Sequence, residues 1–304
     1  MQATLIYNQN AGGSNRVTPE DLLHALENIG YRPIYEATSS EEDLQRVLGD
    51  ATGTVFVAGG DGTIRAAALH LLHKEVVLGI IPMGTANNIG RTLGIVGEPL
   101  DIIQRFAQSH TVPFDVGRVH APWGEDHFLE ACGCGLYADV LAAYNPENGK
   151  SPMRALQAMS GTLAGYEPVP VVLAVDQEDL SGSHLMTEIL NTQATGPRMR
   201  LAPLASPSDG AFDVVTVQQD QRDSMFSYLG ALISGNFTDL SSVNHQQGQC
   251  IELLWQGQPF HVDGEVRPSG ATGRLDGAEG QIQIELLSGA LTMLVPHQGV
   301  DDGQ

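Results

Sequence analysis

A glycine-rich turn between two apolar runs constrains this chain more than any other feature. The run Thr54–Ala58 is typical of a buried strand, and the run Ile64–Leu72 favours a helix with one apolar face. Between them stands Gly59-Gly60-Asp61-Gly62-Thr63. A strand that enters a helix through such a turn leaves backbone N–H groups at the helix start, where an anion binds favourably. The turn predicts a phosphate site, although the same junction also occurs in α/β proteins for packing alone.

Strands and helices alternate along residues 1–108. Strands are predicted at Thr4–Tyr7, Arg32–Glu36 and Val76–Ile81, and Thr18 and Ser40 are expected to cap the first two helices. This alternation predicts a parallel sheet with helices on both of its faces. A ligand of such a sheet lies at the carboxyl ends of the strands.

Three turns rich in Gly, Asn or Thr follow the predicted strands: Asn8–Ser14, Gly59–Thr63 and Gly84–Asn88. Because the carboxyl ends of parallel strands share one edge of the sheet, we expect these turns to converge there and to bind a nucleotide. The candidate ligands in the first and third turns are Asn8, Gly12, Gly84 and Asn87.

No lysine is available for a Walker-type loop. The chain has only Lys74 and Lys150, and no G-x-x-x-x-G-K-[ST] motif occurs in it. Phosphate charge would then be met by backbone N–H groups, a metal ion and arginines. Arg16, Arg65 and Arg91 each follow a glycine-rich turn, but each is equally compatible with a solvated helix position.

From about Thr111 onward, the pattern changes to short apolar segments separated by Gly, Pro and Asp. This pattern predicts an antiparallel β-sandwich, interrupted by helices near Met153–Ala164 and Ser224–Ile233 and followed by a polar tail at 299–304. The predicted strands are Thr111–Val119, His127–Cys132, Pro170–Val175, Met186–Leu190, Ala211–Val217, Cys250–Leu254, Pro259–Val262, Gln281–Leu286 and Leu291–Val295.

The predicted fold is therefore α/β, in two domains. A Rossmann-like, parallel-sheet nucleotide domain is expected at 1–120, completed by the strand near 291–296. An antiparallel β-sandwich substrate domain is expected at 121–290. In the second half, Asp263-Gly264-Glu265 ends a strand with two carboxylates, which suits either acid–base chemistry or a plain hairpin turn.

The net charge of −21 argues against nucleic acid as a partner and against docking on anionic lipid by charge. No apolar run reaches membrane-spanning length and no signal peptide pattern opens the chain, so a cytoplasmic protein without a transmembrane segment is expected. The three cysteines, Cys132, Cys134 and Cys250, match neither a disulfide framework nor a zinc site.

One ordered set of motifs resembles the diacylglycerol kinase catalytic-domain family, which includes YegS-like bacterial lipid kinases and sphingosine kinases. The set spans nearly the whole chain, and the succession of G-G-D-G-T, P-x-G-T-x-N and D-G-E makes it specific. Its members are Asn8…Ala11-Gly12, Gly59-Gly60-Asp61-Gly62-Thr63, Pro82-Met83-Gly84-Thr85-Ala86-Asn87, Asp115-Val116-Gly117, Asp263-Gly264-Glu265 and the strand ending Leu294–Pro296.

The resemblance implies an ATP- and Mg²⁺-dependent lipid kinase that acts on a diacylglycerol-like or sphingoid-like hydroxyl, in phospholipid metabolism, with transient contact to a membrane surface. It implies that Thr38, Gly59–Arg65 and Thr85 contact ATP. Glu265 would accept the proton of the lipid hydroxyl with Asp263 beside it, and Asp209 would hold Mg²⁺ with the backbone oxygens of Ser206 and Ala211.

Four places depart from the family pattern, the first of them Arg65-Ala66, which stands where Asn-Glu is usual after G-G-D-G-T and Ile64. Asn88 stands where an aspartate is usual, Gly13 where a basic residue is common, and Ser208 where an acidic residue is usual. Two alternatives therefore stay open: a kinase for a soluble hydroxyl substrate, and a nucleotide-binding regulatory protein without catalysis. The sequence does not decide the oligomeric state, and a homodimer is one option.

Overall fold

The computed structural model describes residues 1–8, 17–38, 40–143, 166–218 and 225–297. The rest of the first turn with Gly12, Gly13 and Arg16, the predicted helix Met153–Ala164 and the polar tail lie outside these residues. The chain divides into two compact units, Met1–Phe114 with Gly289–Gln304, and Asp115–Ser288. Two strands, Ser109–Ala121 and Gly280–Pro296, continue from one unit into the other.

The first unit is a parallel sheet with helices. Its strands lie in the order β16 (Gly280–Pro296), β4 (Val76–Pro82), β3 (Gly53–Gly59), β1 (Gln2–Tyr7) and β2 (Arg32–Ala37), and every neighbouring pair is parallel. The last strand, β16, joins this sheet by pairing Thr292–Leu294 with Val77–Gly79. Its other elements are the helices α1 Pro19–Asn28, α2 Glu41–Gly49, α3 Asp61–His70, α4 Asn88–Thr92 and α5 Pro99–Arg105.

Local signals in the sequence account for these elements. Thr18 caps α1 through a capping box with Asp21, and Pro19 occupies the first helical position. Leu22 and Leu26 of this helix are fully buried against the sheet, as the apolar spacing predicts. The central strand β3 is completely buried at 55–58, which places the core of this unit on both faces of the sheet.

The second unit is antiparallel. Strands β15-β14-β7-β10-β8-β13-β16 lie side by side in that order, and β11 pairs with both β10 and β12. The elements are β5 Ser109–Ala121, β6 Gly124–Phe128, β7 Ala131–Gly135, α6 Leu136–Ala143, β8 Val169–Val175, β9 Glu178–Asp179, β10 Gly182–Leu190, β11 Phe212–Gln218, α7 Met225–Ser234, a 3₁₀ turn Phe237–Asp239, β12 Val243–Gly248, β13 Cys250–Trp255, β14 Phe260–Val262, β15 Glu265–Arg267 and β16 Gly280–Pro296.

Two apolar cores fill this unit. One contains Phe128, Phe212 and Phe260, and the other gathers around Tyr137 and Tyr228. The parallel first unit and the antiparallel, sandwich-like second unit confirm the predicted fold class. The division into a nucleotide-binding domain at 1–120 and a substrate domain at 121–290 stays a prediction.

Two details of the predicted strands are wrong. The predicted strand His127–Cys132 is divided between two strands, β6 and β7, because Leu129 and Glu130 between them belong to neither strand. The two predicted strands Gln281–Leu286 and Leu291–Val295 are one strand, β16, which runs through Gly289 at φ +58°. The helix α6 was not predicted from the sequence.

Within the described ranges, no helix is long and apolar enough to cross a membrane. Cys132 and Cys134 are fully buried and unbridged, whereas Cys250 is exposed. Burial raises the pKa of Cys134 to about 12 and raises that of Cys132 as well, so both thiols stay protonated at neutral pH.

Candidate functional site

The glycine-rich turns of the first unit are joined at the carboxyl ends of neighbouring strands. Asn8 follows β1, and its side-chain amide donates a hydrogen bond of 2.6 Å to the Thr63 hydroxyl in the second turn. The N–H of Met83, at the start of the third turn, donates to the Gly59 carbonyl at 2.7 Å. The described parts of the three predicted turns, of which the first contributes Asn8, therefore meet at one edge of one sheet.

Gly60 and Gly84 bring the second and third turns into backbone contact. A Cβ atom added to Gly84 would lie 2.7 Å from the Gly60 Cα and 2.9 Å from the Asn87 side-chain oxygen. Real Cβ atoms essentially never come this close to other heavy atoms. The turns can come this close only because Gly84 carries no side chain, whereas a Cβ at Gly60 would lie 3.4 Å from the Gly84 Cα, an ordinary contact. The two glycines leave a backbone surface that an anion could approach.

Polar side chains hold the third turn in shape. The Asn87 amide accepts from the Gly84 N–H at 2.9 Å and donates to the Gly84 carbonyl at 3.0 Å, while Asn87 itself adopts a left-handed conformation at φ +53°. Asp61 begins α3 and accepts a hydrogen bond of 3.4 Å from the Ile89 N–H. The Asp61 carboxylate therefore links the second turn to the short helix that follows the third.

The remaining predicted ATP contacts lie in the same unit. Thr38 follows the last residue of β2, at the same edge of the sheet, and is partly buried. Thr85 is exposed in the third glycine-rich turn, and Arg65 is partly buried at the fifth position of α3. Arg91 donates from Nε to the Ala86 carbonyl at 3.1 Å, so this arginine also supports the third turn.

In the second unit, Asp263-Gly264 forms a two-residue hairpin turn between β14 and β15. Val262 pairs with Glu265, and both turn residues have positive φ, +47° for Asp263 and +78° for Gly264. Positive φ at both central residues is typical of a type I′ turn, for which Asp-Gly is a favoured sequence. The hairpin interpretation of this motif is therefore correct as geometry.

The Asp263 carboxylate also binds backbone groups far along the chain. It accepts hydrogen bonds from the N–H groups of Leu129, Glu130 and Ala131, at 2.9, 2.8 and 3.1 Å. Leu129 and Glu130 lie between β6 and β7, and Ala131 is the first residue of β7, so Asp263 provides the acceptors that these N–H groups need. Asp263 acts here as an anchor of the hairpin.

Glu265 is held by an arginine that the sequence reasoning did not identify. Its side chain is 58% exposed and accepts a hydrogen bond of 3.0 Å from Nη2 of Arg267. Arg267 is bound in turn by Asp126 through both Nε and Nη2. The hydrogen bond to Asp126 is the main cause that raises the pKa of Arg267, so the guanidinium stays charged beside Glu265. Glu265 and Arg267 are two positions apart in β15 and so lie on the same face of the strand, and this spacing could have indicated the contact.

The predicted metal residues lie in one loop of the second unit. The Asp209 carboxylate accepts from the Ala211 N–H at 3.2 Å and from the Gln247 amide at 3.2 Å. The buried Asp115 carboxylate accepts from the Gly210 N–H at 2.9 Å and thereby fixes the same loop. Ser206 precedes Asp209 in the same loop, and its hydroxyl lies 3.2 Å from the hydroxyl of Ser208.

This loop offers oxygen donors only, which is the donor set that Mg²⁺ prefers. Asp209 supplies its one exposed carboxylate, and backbone carbonyls would supply the rest. Among the residues described, no three His, Cys, Asp or Glu side chains group together as metal ligands. The loop therefore fits a loosely held Mg²⁺ and does not fit a transition-metal centre.

Comparison with known protein families shows to which family the chain belongs. The model of the diacylglycerol kinase catalytic domain matches residues 2–119, and that of the YegS C-terminal NAD kinase beta sandwich-like domain matches residues 135–295. The chain belongs to the diacylglycerol kinase catalytic-domain family. The two matches follow each other in the order that the sequence motifs predict.

Curated relatives of this family cover most of the chain. A diacylglycerol kinase of Mycobacterium tuberculosis is 26% identical over 236 residues, 76% of each chain. Diacylglycerol kinases of Staphylococcus haemolyticus and Staphylococcus aureus are 26% and 25% identical; they cover 86% and 87% of this chain and 82% and 86% of their own lengths. The family and these names indicate a kinase, that is, a phosphotransferase.

Solved structures from Bacillus anthracis str. Sterne share the fold. A diacylglycerol kinase matches with a TM-score of 0.63 at 20% identity over 96% of both chains. A second chain matches with a TM-score of 0.72 at 21% identity, over 96% of this chain and 94% of that one. At this identity, the likeness concerns the fold alone.

Proposed function

We propose that this chain is an ATP- and Mg²⁺-dependent kinase that transfers the γ-phosphate of ATP to a hydroxyl of a diacylglycerol-like or sphingoid-like lipid. The observation that supports this most is the joining of the three turns at one sheet edge in a chain of a kinase family. The proposed setting is the cytoplasm, with transient contact to a membrane surface.

The first unit would hold the nucleotide. The amino-terminal end of α3 carries the positive end of the helix dipole, and Gly60 and Gly84 leave backbone exposed beside it. Thr63, Thr85 and Arg65 would add hydroxyl and guanidinium donors. With no Walker lysine in the chain, the phosphates would depend on these groups and on Mg²⁺.

The second unit would supply the proton acceptor. Glu265 would take the proton of the acceptor hydroxyl while the hydroxyl oxygen forms a bond to the γ-phosphorus of ATP. The bond between the γ-phosphorus and the oxygen that bridges it to the β-phosphate breaks at the same time, and ADP leaves. Arg267 and Asp126 hold the Glu265 carboxylate in one orientation before the substrate arrives. When bound, Mg²⁺ supplies positive charge for phosphoryl transfer; Asp209 and the carbonyl oxygens of Ser206 and Ala211 would hold it.

One observation favours a second candidate. A net charge of −21 repels anionic membranes, and this suits a kinase whose acceptor is a water-soluble alcohol.

The test is a transfer assay with purified protein, Mg²⁺ and γ-labelled ATP. The acceptors are diacylglycerol and sphingosine in mixed micelles, and glycerol in buffer. Glu265→Gln should lower kcat by about 10²–10⁴-fold with unchanged ATP affinity, because it removes only the proton acceptor. Glu252→Gln, at an exposed position of β13, is the matched control and should transfer phosphate like the unmodified protein.

Three outcomes would contradict the proposal in different ways. Labelling of glycerol but not of lipid would favour the soluble acceptor. ATP binding without transfer to any acceptor would favour the regulatory alternative. Full turnover by Glu265→Gln would remove Glu265 from the mechanism.

A further inference from the structure

A buried histidine–glutamate pair lies directly before the Asp263-Gly264 turn. His261 on β14 and Glu188 on β10 are both completely buried, and the distance between His261 Nε2 and Glu188 Oε2 is 2.8 Å. The proposed reaction uses neither side chain. Neither residue lies in the loop proposed for Mg²⁺.

The register of three strands explains how these two side chains meet. Strands β14, β7 and β10 are neighbours, and His261, Gly133 and Glu188 stand opposite one another in one row across them. Residues opposite one another in antiparallel strands point to the same face of the sheet. Gly133 has no side chain, so the imidazole and the carboxylate reach each other across the middle strand.

The row leaves no room for a larger residue in its centre. A Cβ atom at Gly133 would lie 2.2 Å from the Thr187 carbonyl oxygen and 2.9 Å from the Glu188 carboxylate. The contact between His261 and Glu188 therefore requires glycine at position 133, since a side chain there would push β7 away from β10 or displace the Glu188 carboxylate.

The other side of the imidazole is bound to the turn itself. Nδ1 of His261 accepts a hydrogen bond of 3.3 Å from the Gly264 N–H. Because Nδ1 accepts, the proton of a neutral imidazole lies on Nε2 and is donated to Glu188. The Tyr137 ring packs edge-on against the imidazole, with 4.8 Å between centroids, and fixes its plane.

Stability alone does not account for such a pair. Burying polar and ionisable side chains is costly, and apolar side chains of similar volume often stabilise a core as well or better. The pair also fixes the orientation of the hydrogen bonds around the imidazole. Glu188 sets the tautomer of His261, and His261 sets the position of the Gly264 N–H. Gly264 is followed by Glu265, whose carboxylate must be placed accurately to accept a proton.

We propose that Glu188 and His261, joined across Gly133, are positioning residues that lock the Asp263-Gly264 turn and thereby hold Glu265 in place for catalysis. The kinetic part of this inference rests on the proposed function. The locking of the turn is a property of the folded protein and can be tested without any substrate.

The first experiment uses the unmodified protein. Its histidines are labelled with ¹⁵N, and long-range ¹H–¹⁵N spectra report the state of each ring; the His261 signals are those that disappear in His261→Gln. We expect Nδ1 unprotonated and Nε2 protonated. A proton on Nδ1 would overturn the proposal, because a protonated Nδ1 cannot accept the Gly264 N–H.

The second experiment compares two variants that each keep half of the imidazole. His261→Gln retains a donor near Nε2 for Glu188 and loses the acceptor for Gly264, whereas His261→Asn retains an acceptor near Nδ1. We expect His261→Gln to lower kcat about 10–100-fold with KM for ATP and acceptor unchanged within about twofold. Amide exchange of residues 262–266 should be faster, and His261→Asn should recover part of both effects.

The matched control is His184→Gln. His184 is also buried in β10, and its ring is hydrogen-bonded to the Thr187 hydroxyl rather than to the hairpin turn. This variant should lower the melting temperature without changing kcat or hairpin exchange. Equal losses of kcat in the two glutamine variants would overturn the proposal, because they would indicate general destabilisation.

The remaining outcomes also decide the question. Unchanged kcat and hairpin exchange in His261→Gln would overturn the inference. If the unmodified protein transfers no phosphate, the proposed function fails, while exchange and the tautomer still decide whether the pair locks the turn. If His261→Gln does not fold, Glu188→Met removes the acceptor of the Nε2 proton at nearly the same side-chain volume; faster amide exchange of residues 262–266 supports the proposal, and unchanged exchange overturns it.

Discussion

Replacing Gly84 by alanine tests the contact on which the nucleotide site depends. The added Cβ would lie 2.7 Å from the Gly60 Cα, whereas ordinary van der Waals contact begins at 3.4 Å. The second and third turns would have to separate by about 0.7 Å, the difference between these distances. The Met83–Gly59 hydrogen bond of 2.7 Å resists that separation because it spans the same two turns.

The structure sets the expected size of the effect. Overpacking of a tight contact costs about 1–3 kcal/mol. A loss of about 2 kcal/mol corresponds to a melting temperature lower by roughly 3 °C in a chain of 304 residues. If the strain makes the free energy of ATP binding about 1.4 kcal/mol less favourable, the Kd for ATP rises about tenfold.

The assay combines thermal unfolding with calorimetric titration of Mg-ATP. Gly49→Ala is the matched control, because Gly49 ends α2, has no atom within 4 Å of an added Cβ and needs no positive φ. It should leave ATP affinity unchanged. A Gly84→Ala protein that melts and binds ATP like the unmodified one would show that the turns are not in contact in solution. A lower melting temperature with unchanged ATP affinity would place the nucleotide elsewhere.

Further predictions concern both units. Gly62→Ala adds a methyl group to open space in α3, so the melting temperature should hold or rise while ATP affinity falls; unchanged affinity would exclude contact with phosphate. Arg267→Lys loses the two-point contact with Asp126 and should lower kcat about tenfold at constant KM for ATP, as steady-state kinetics would show. Asp263→Asn tolerates the positive φ but lacks one carboxylate acceptor, so urea unfolding should report a loss of about 1–3 kcal/mol. Ellman's reagent at pH 8 should label one thiol, Cys250, in the native protein and three in denaturant, because burial keeps the other two protonated; two native thiols would contradict that burial.

Local chemistry made the first unit readable from the sequence. Thr18 and Pro19 mark the start of α1, and apolar runs mark the buried strands, because capping and periodicity depend on neighbours in the chain. The Asp263-Gly264 hairpin was predictable for the same reason: two consecutive residues with positive φ favour this dipeptide. The convergence of the turns followed from the parallel sheet, since parallel strands end at one edge.

The contacts that shape the second unit depend on tertiary structure. Leu129 and Glu130 interrupt a run that the sequence predicts as one strand, because their N–H groups bind the Asp263 carboxylate, more than 130 positions away. Glu188 looks like any residue of a strand, and only the register across Gly133 places it against His261. Sequence patterns report what a residue does with its near neighbours, whereas these hydrogen bonds arise from strand order and register, which are determined when the sheet assembles.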